Sequence, residues 1–428
     1  MDLTQANMGS SSPFTDQLMD EIRSSFFHVD ECPYAGHRIY LESAGGSLTL
    51  KSVIEQTAKI GAIPDNEHRN NAASFAMTEI VKKGLSDLRT FFGSKSGVAF
   101  GGETGTECLF RIIRSAALSA EQGGNIVASS AEHPSTYSAT QYWAKQSQRT
   151  WHEVSFDPLT GIVEPEDYAR VITPETRIAT VIHTNPVTGI VMDVDAITKT
   201  IRSVSPNCYI IVDGIQHAPH GYLDVEKYGA DAYVISLYKV YSKFNNGYAW
   251  VSDRMSQVTH EALIGKPKEA WELGSRDPSA LAAVTEVVSY LTKLGAKFSN
   301  SQDDRELLRT AGSAMLQHEH YLISLLLDGT ATVPGLRKMT NVKVLGSDNL
   351  NRREGVVSFG VEGLGAKDIV AALDKKGIRI HARQNDLFSA NVLNPLGLES
   401  VSRVSLAHYN TASEIETFLT ALTEIIAT

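Results

Sequence analysis

Short apolar runs alternate with amphipathic stretches between about residues 97 and 251. The runs are rich in β-branched residues and cover 97–100, 125–128, 178–182, 209–212, 232–235 and 248–251. Apolar runs of this length are typical of strands buried in a sheet. Their alternation with helical patterns predicts an α/β fold built on a parallel sheet with helices on both faces.

The periodicity outside this region predicts further helices and a second set of strands. Helical spacing covers 15–27, 75–92, 278–294, 305–327, 366–375 and 412–425, and strand-like runs cover 38–41, 355–360, 378–380 and 403–406. Ser74 is the candidate N-cap of the helix 75–92, which should end before Gly93. Because the late strands and helices are mixed, the C-terminal part is predicted to be α+β.

A chain of 428 residues exceeds one compact core, so we expect two domains. We predict a tail and a helix over residues 1–30 and a large α/β domain over 45–300. A smaller α+β domain is predicted over 301–428, with residues 31–45 packing near it.

The charge balance and the cysteine usage narrow the classes of partner. The chain has 39 basic and 49 acidic residues and a net charge of −10, so we expect neither a nucleic acid nor an anionic membrane as a partner. No run of about 18 apolar residues occurs, and the polar segment 1–13 lacks the layout of a signal peptide.

The 3 cysteines are far apart, and no Cys/His cluster has zinc spacing. We therefore expect reduced thiols, no metal site and a cytoplasmic location.

Two polar segments follow two apolar runs of the predicted sheet. Asp213 and Gln216 follow one run, and Ser236 and Lys239 follow the next. In α/β sheets, ligands bind at the carboxyl ends of strands. Pyridoxal phosphate needs a lysine for its Schiff base and a carboxylate for its pyridinium nitrogen, so the pair indicates this cofactor. An Asp that caps the next helix and a solvated Lys are the ordinary alternative.

Three further segments follow other predicted strands. The glycine-rich turn 101–107 would let the N–H groups of a helix N-terminus meet a phosphate. His133 would be placed to stack on an aromatic ring, and Asn185 to donate to a phenolic oxygen. Each segment also has an ordinary alternative: a plain strand–helix turn, a structural or exposed His, and an Asn-Pro turn.

The order of these segments resembles the class V aminotransferases, the cysteine desulfurase-like group of fold-type I pyridoxal phosphate enzymes. The resemblance runs from about Tyr40 to Thr411. It is carried by Tyr40–Ala44, Val212–Gln216 with Asp224–Val225, Ser236–Lys239 and Arg403–Thr411. It implies a large domain with a mainly parallel, seven-stranded sheet, a smaller C-terminal domain, and a homodimer with shared active sites.

The resemblance also implies a role for each matching residue. Lys239 would carry the cofactor and act as the base, Asp213 would keep the pyridine nitrogen protonated, and His133 would stack on the ring. Gln216 would reach the phenolic oxygen of the ring. Other cofactor contacts would come from Gly105, Thr106, Asn185, Ser236 and Tyr238, with Ser275 reaching the phosphate of a neighbouring subunit. The substrate would meet Ala44 and Arg403, whose guanidinium would hold the α-carboxylate as a bidentate fork.

The chain departs from the family pattern in three places. Tyr238 stands where a His usually precedes the lysine, and Pro186 aligns with the usual Asn better than its neighbour does. The loop 381–389, where desulfurases carry a catalytic cysteine, contains none, and neither Cys108 nor Cys208 takes its place. A persulfide-forming desulfurase is therefore not expected.

Chemistry without a nucleophilic thiol remains. We expect lyase-type chemistry at Cβ of a small α-amino acid: β-elimination, desulfination, β-decarboxylation, or the decarboxylative aldol reaction known in fungal peptide pathways of this family. Arg383 would add a cation for a second substrate anion, or would form a surface salt bridge. The alternatives are an epimerase related to isopenicillin N epimerase, a transaminase, and a degenerate cofactor-binding protein. The retained Lys239, Asp213 and Arg403 argue against the last of these.

Overall fold

The computed structural model describes residues 11–427. Residues 1–10 of the predicted N-terminal tail lie outside the described residues. The strands are β1 (Glu31–Cys32), β2 (Gly36–His37), β3 (Ile39–Tyr40), β4 (Val98–Gly102), β5 (Asn125–Ser129), β6 (Thr150–Val154), β7 (Thr176–Ile182), β8 (Tyr209–Asp213), β9 (Ala232–Ser236), β10 (Gly247–Val251), β11 (Val342–Val344), β12 (Val356–Val361), β13 (Ile378–Arg379), β14 (His381–Gln384) and β15 (Ser400–Ser405). The α-helices are α1 (Asp16–Ser24), α2 (Lys51–Gly61), α3 (Ala72–Phe92), α4 (Gly105–Ser119), α5 (Pro134–Gln146), α6 (Pro165–Val171), α7 (Val194–Val204), α8 (Val225–Tyr228), α9 (Asp253–Ser256), α10 (Pro278–Gly295), α11 (Asp304–Asp328), α12 (Ala366–Asp374), α13 (Ala390–Leu393) and α14 (Ala412–Ala427).

A seven-stranded sheet forms the centre of the fold, in the order β4-β10-β9-β8-β7-β5-β6. The run from β6 through β5, β7 and β8 to β9 is parallel throughout. Strands β5, β8 and β9 are almost entirely buried, which is why each of them appears in the sequence as an apolar run. The predicted α/β fold with a mainly parallel sheet is confirmed.

Two strands of this sheet differ from the prediction. β10 runs antiparallel to both β9 and β4, because the short connection after β9 cannot supply the crossover of about a dozen residues that a parallel return needs. β6 was not predicted at all. It is an edge strand with mostly exposed side chains, so it lacks the apolar run of its neighbours.

The C-terminal part contains a second, antiparallel sheet in the order β11-β12-β15-β14. Strands β12 and β15 are almost entirely buried. β14 occupies the first four residues of the stretch that was predicted as the loop 381–389, so that prediction is wrong for these residues. They form a strand because they pair with β15, and their half-buried side chains left no apolar run to mark it.

One helix and one strand pair connect the two sheets. β3 pairs in parallel with β13, which places residues 39–40 beside the small sheet region. Helix α11 has 25 residues and packs its first half in the core of the large sheet and its second half in the core of the small one. Because this helix takes part in both cores, the predicted division at residues 300 and 301 stays a prediction.

Helix α3 begins earlier than predicted. Its N-cap is Asn71, whose Oδ1 accepts the Ser74 N–H at 2.9 Å, so the prediction that Ser74 is the cap is wrong. Asn71 is the cap because its side-chain oxygen reaches the free N–H groups of the first helical turn, and Ser74 lies inside that turn. The helix ends as predicted before Gly93, whose φ of +70° is in the left-handed region that favours glycine.

Candidate active site

The carboxyl ends of the central strands border a cavity of about 260 Å³. Eight predicted site residues line it, and we call them the strand-end group: Gly105, Thr106, His133, Asp213, Gln216, Ser236, Tyr238 and Lys239. The remaining lining residues are Thr104, Ile182, Thr184, Pro186, Ile215 and Phe244. Residues that are far apart in the chain meet here because parallel strands bring their carboxyl ends to one edge of the sheet.

Lys239 ends a single turn of 3₁₀ helix that follows β9, and its side chain is buried. Its Nζ donates a hydrogen bond to Gln216 Oε1 at 2.9 Å. Burial and, next, the charge of Arg403 lower the pKa of the ammonium to about 7, although Asp213 opposes this shift. A lysine that loses its proton near neutral pH is suited to act as a nucleophile and as a base.

Asp213 is the last residue of β8 and lies at the floor of the site. Its carboxylate accepts hydrogen bonds from Thr136 Oγ1 at 3.0 Å and from the Ile215 N–H at 3.1 Å. Burial raises the pKa of Asp213, and these hydrogen bonds lower it only in part. Burial raises the pKa of the nearby Glu132 well above its ordinary value, and the charge of Asp213 adds to this. Of these two buried carboxyl groups only Asp213 lines the cavity, so it is the one placed to face a cofactor.

His133 presents a neutral ring to the cavity. It stands just before α5, where its Nδ1 accepts the Ser135 N–H at 3.2 Å and caps the helix. Burial lowers the pKa of His133 to about 3, and the charge of Lys239 contributes. A flat, uncharged imidazole suits stacking on the face of an aromatic group.

Helix α4 directs its N-terminus at the cavity. The Gly105 N–H donates to Ser236 Oγ at 3.2 Å, and Thr104 caps the helix by accepting the Glu107 N–H at 3.1 Å. A Cβ at position 105 would lie 2.5 Å from Ser236 Oγ, so the backbone approaches this closely only because the residue is glycine. The helix N-terminus and the hydroxyl groups of Thr106 and Ser236 form a place for a phosphate.

Two arginines of the small sheet, Arg403 in β15 and Arg383 in β14, lie near this cavity, and we call them the arginine pair. Arg403 Nη1 donates to the Pro186 carbonyl at 2.8 Å, and Arg383 Nη2 donates to the Phe388 carbonyl at 2.5 Å. Within residues 11–427, the buried Nε atom of each arginine has no hydrogen-bond partner. Burial lowers the pKa of both guanidinium groups, to about 9 for Arg403. Desolvated cations with free donors are suited to bind anions.

Glu42 belongs to this part of the site, although no role was predicted for it. Its carboxylate accepts hydrogen bonds from Arg379 Nε at 2.5 Å and His381 Nδ1 at 2.9 Å. Burial raises the pKa of Glu42, but the hydrogen bonds to His381 and Arg379 outweigh burial and hold the pKa below its ordinary value. The pairing of β3 with β13, the bridge between Glu42 and Ser405, and the pairing of β14 with β15 bring these residues together, so no local pattern pointed to the cluster.

Five predicted site residues do not line the cavity: the arginine pair, which lies near it, and Asn185, Ala44 and Ser275. Asn185 donates from Nδ2 to the Ala131 carbonyl at 2.8 Å, and its Oδ1 accepts two N–H groups of the following turn. Because the turn uses its amide, the predicted cofactor contact of Asn185 has no geometric support, and Pro186 lines the cavity instead. The Ala44 N–H donates to Ser405 Oγ at 2.9 Å, and Ser275 is exposed.

The cysteines lie apart from the site. Cys108 and Cys208 are buried, Cys32 is half buried, and none of these three residues lines the cavity. Burial raises the pKa of Cys108 and of Cys208 to about 12, so both are protonated thiols. Between residues 11 and 427, no group of three or more His, Cys, Asp and Glu side chains is arranged to hold a metal ion. No helix in this range is long and apolar enough to cross a bilayer.

A buried lysine opposite a buried carboxylate at the strand ends, with a helix N-terminus beside them, is the arrangement that a pyridoxal phosphate enzyme requires. The family model of the class V aminotransferases matches residues 39–418. The chain therefore belongs to the class V aminotransferase family, whose members use pyridoxal phosphate.

Individual proteins agree with this assignment. The chain is 25% identical to the aminotransferase-like protein FGM3 of Gibberella zeae over 97% of this chain and 100% of that protein. It is 26% identical to the cysteine desulfurase-like protein ustD of Aspergillus flavus over 91% and 88% of the two chains. It is 25% identical to a probable cysteine desulfurase of Borreliella burgdorferi, but this match covers only 62% of either chain. The structure of a cysteine desulfurase from Thermococcus onnurineus NA1 has the same fold, with a TM-score of 0.82, 20% identity and coverage of 97% and 100%.

Proposed function

We propose that this pyridoxal phosphate enzyme performs lyase-type chemistry at Cβ of a small α-amino acid, without a persulfide-forming cysteine. The observation that carries the proposal is the arginine pair, which lies near a cavity that no cysteine lines. Two cations suit a substrate with two anionic groups, and the lack of a thiol leaves no acceptor for sulfur.

The strand-end group binds the cofactor in this proposal. Gly105, Thr106 and Ser236 hold the phosphate, His133 stacks on the ring, and Asp213 holds the proton of the pyridine nitrogen. Bound pyridoxal phosphate supplies an electron sink for bonds at Cα. The raised pKa of Asp213, caused by burial, suits a carboxylate that shares a proton with the ring nitrogen.

Lys239 and the arginine pair act on the substrate. Lys239, with a pKa lowered to about 7 by burial, carries protons to and from the substrate carbon. Arg403 holds the α-carboxylate, and this orientation selects which bond at Cα is activated. Arg383 holds a second anion on the side chain, such as a carboxylate or a sulfinate, which leaves from Cβ in the reaction.

We also propose that the enzyme is a cytoplasmic homodimer in which Ser275 contacts the phosphate site of the other subunit. The exposed position of Ser275 supports this, as do the exposed apolar side chains of Leu263, Ile264 and Leu273 in the preceding segment. Light scattering should give the mass of a dimer. A monomer that remains fully active at high dilution would contradict the shared site.

Transamination and epimerisation are the alternatives, because both use a lysine base and leave Cβ intact. The full-length match to a protein named aminotransferase-like favours the first of them. An amino-acid panel separates the reactions. Aspartate, cysteine, cysteine sulfinate and alanine should be supplied singly while carbon dioxide, sulfite, ammonia and pyruvate are assayed. Release of carbon dioxide or sulfite from an acidic substrate is expected. Exchange of amino groups with a 2-oxo acid, or inversion at Cα alone, would replace the proposal.

A cysteine-free variant tests the absence of a thiol mechanism. Replacing Cys32, Cys108 and Cys208 by Ala or Ser should preserve turnover, because Lys239 and the cofactor suffice for chemistry at Cβ. Removal of the two buried thiols should lower the unfolding free energy by about 1 kcal/mol each. If the variant is folded and binds the cofactor but has no activity, a cysteine takes part in the reaction and the proposal is wrong on this point.

A further inference from the structure

A chain of hydrogen bonds leads from Lys239 away from the cavity and into the core. Lys239 Nζ donates to Gln216 Oε1 at 2.9 Å, and Gln216 Nε2 lies 3.1 Å from His220 Nε2. The other ring nitrogen of His220, Nδ1, lies 2.8 Å from Glu319 Oε2. His220 and Glu319 are 1% and 0% exposed, and the proposed reaction gives this buried pair no role.

The proton at His220 Nε2 decides which end of the Gln216 amide can face the imidazole. Glu319 accepts the N–H of Nδ1 whether the ring is neutral or charged. If Nε2 is unprotonated, it accepts from the amide NH₂, and the amide carbonyl faces Lys239. If Nε2 carries a proton, it donates to the amide carbonyl, and the NH₂ faces Lys239 and the cavity. Rotating the Gln216 amide by a half-turn interchanges its oxygen and nitrogen and so converts one arrangement into the other without moving any other atom.

We propose that the His220–Glu319 pair is a positioning device that turns the Gln216 amide, so that its NH₂ donates to the ring oxygen of the bound cofactor. The inference rests on the proposed pyridoxal phosphate site and on the predicted contact of Gln216 with this oxygen, but not on which amino-acid reaction follows. His220 and Glu319 do not touch the cavity, so both act through Gln216.

The charges around His220 support the protonated ring. Burial alone would lower the pKa of His220, but Glu319 outweighs burial and raises it above the ordinary value. Glu354 acts in the same direction, and the positive charge of Lys239 opposes both. Burial also raises the pKa of Glu319, and His220 lowers it only in part. Loss of the positive charge of Lys239 is therefore the change that shifts the pair towards the imidazolium form, and with it towards the donating orientation of Gln216.

The packing holds the pair in place from two parts of the fold. His220 lies in the loop after β8, which also carries Gln216 and begins just past Asp213, whereas Glu319 belongs to α11, which takes part in both cores. The backbone of Gly355 packs directly against both side chains of the pair. A Cβ at this glycine would lie 3.0 Å from both Glu319 Oε2 and His220 Cε1, so the pair has little room to move.

The variant Glu319→Gln tests the device, because it keeps the shape of the side chain and removes the charge that holds the imidazolium. The readout is the pH midpoint at which the absorbance of the bound cofactor changes. A ring oxygen that has lost a donor holds a neighbouring proton more tightly, so the midpoint should rise by about one pH unit. An unchanged midpoint would overturn the inference.

A double-mutant cycle shows whether the effect passes through Gln216. Gln216→Leu should raise the midpoint by itself, and adding Glu319→Gln to it should change nothing further. An equal shift in both backgrounds would mean that Glu319 acts directly on the cofactor, and the positioning role would be wrong. His217→Gln is the matched control, because it breaks the second His–Glu pair of the same loop, 2.6 Å between His217 Nδ1 and Glu354 Oε1. It should leave the midpoint in place.

A second measurement needs no folded variant of Glu319. In ¹⁵N-histidine NMR of the wild-type protein, the His220 signal, assigned by its loss in His220→Asn, should show protonated Nε2 once the cofactor is bound. An unprotonated Nε2 in the loaded protein would overturn the inference. If instead Lys239→Ala keeps the visible band of a lysine-bound cofactor, the site assignment itself fails. If the band is lost in Lys239→Ala but its pH midpoint does not change in Glu319→Gln, only the positioning role is wrong.

Discussion

The strand-end group and the arginine pair lie near the same cavity, but their hydrogen bonds differ. In the strand-end group, the polar atoms of its central members bind one another or their neighbours: Lys239 donates to Gln216, and Asp213 accepts from Thr136. In the arginine pair, each guanidinium keeps a buried Nε without a partner among the described residues.

This difference separates two tasks. A group whose polar atoms are already satisfied keeps its shape before the ligand arrives, which suits a cofactor that stays bound. Guanidinium groups with a buried, unpartnered Nε atom are unfavourable until an anion arrives, so they gain most from the substrate. Changes in the strand-end group should therefore affect every substrate, and changes in the arginine pair should discriminate among substrates.

The largest effect is expected for Lys239→Ala. Loss of the base should lower kcat by about a thousandfold or more for every amino acid that the enzyme accepts. Absorbance spectra of the reconstituted variant should lack the band of the lysine-bound cofactor, while phosphate contacts retain weak binding. Substantial turnover in this variant would place the base elsewhere.

Asp213→Asn should come next. The neutral amide cannot balance the positive ring nitrogen, so kcat should fall by roughly a hundredfold while the fold and the cofactor remain. Circular dichroism and cofactor content serve as the controls, and steady-state kinetics give the result. Near-normal turnover would exclude Asp213 as the partner of the ring.

Arg403→Lys should raise KM about tenfold or more for every α-amino acid, with a smaller change in kcat. An ammonium group cannot copy the two parallel hydrogen bonds that a guanidinium makes to a carboxylate. Initial-rate measurements over a range of substrate concentration provide the test. If KM does not change, the α-carboxylate is held by another residue.

Arg383→Ala should distinguish acidic from neutral substrates. For aspartate or cysteine sulfinate, kcat/KM should fall by about tenfold, as expected for the loss of one charged hydrogen bond. For cysteine, a substrate whose group at Cβ is largely uncharged near neutral pH, it should stay nearly constant. Equal losses for both classes would remove the second anion site and favour a transaminase or an epimerase.

The smallest effect concerns the stability of the cofactor-free protein. Burial lowers the pKa of Lys239 from 10.5 to about 7, so between these values the unfolded chain binds more protons than the folded one. Stability from this group therefore rises with pH across the window. Lys239→Met should stabilise the protein by roughly 2 kcal/mol at pH 7, and the gain should shrink towards pH 10. Urea unfolding at several pH values measures it, and a gain independent of pH would contradict the shifted pKa.

The sequence patterns were reliable where burial and local chemistry agree. Strands β5, β8 and β9 are apolar because they are enclosed on both faces, and the polar residues after β8 and β9 reach the cavity directly. β6 and β14 were not predicted, because edge strands with exposed or half-buried faces have no apolar run. Asn185 shows a different limit. Its position after β7 suggested a ligand contact, but the direction of its amide depends on Ala131, which is distant in the chain.

The sequence by itself determined the family, the cofactor, and the order along the chain of the apolar strands and of the polar residues that follow them, because each depends on short segments with a fixed spacing. The tertiary structure alone decided which side chains meet from distant segments. It placed Glu42 against Arg379, left the arginine pair with free donors, and joined His220 to Glu319 behind Gln216. The physical reason is that burial and partnership are properties of packed neighbours, and those neighbours come from strands and helices far apart in the chain.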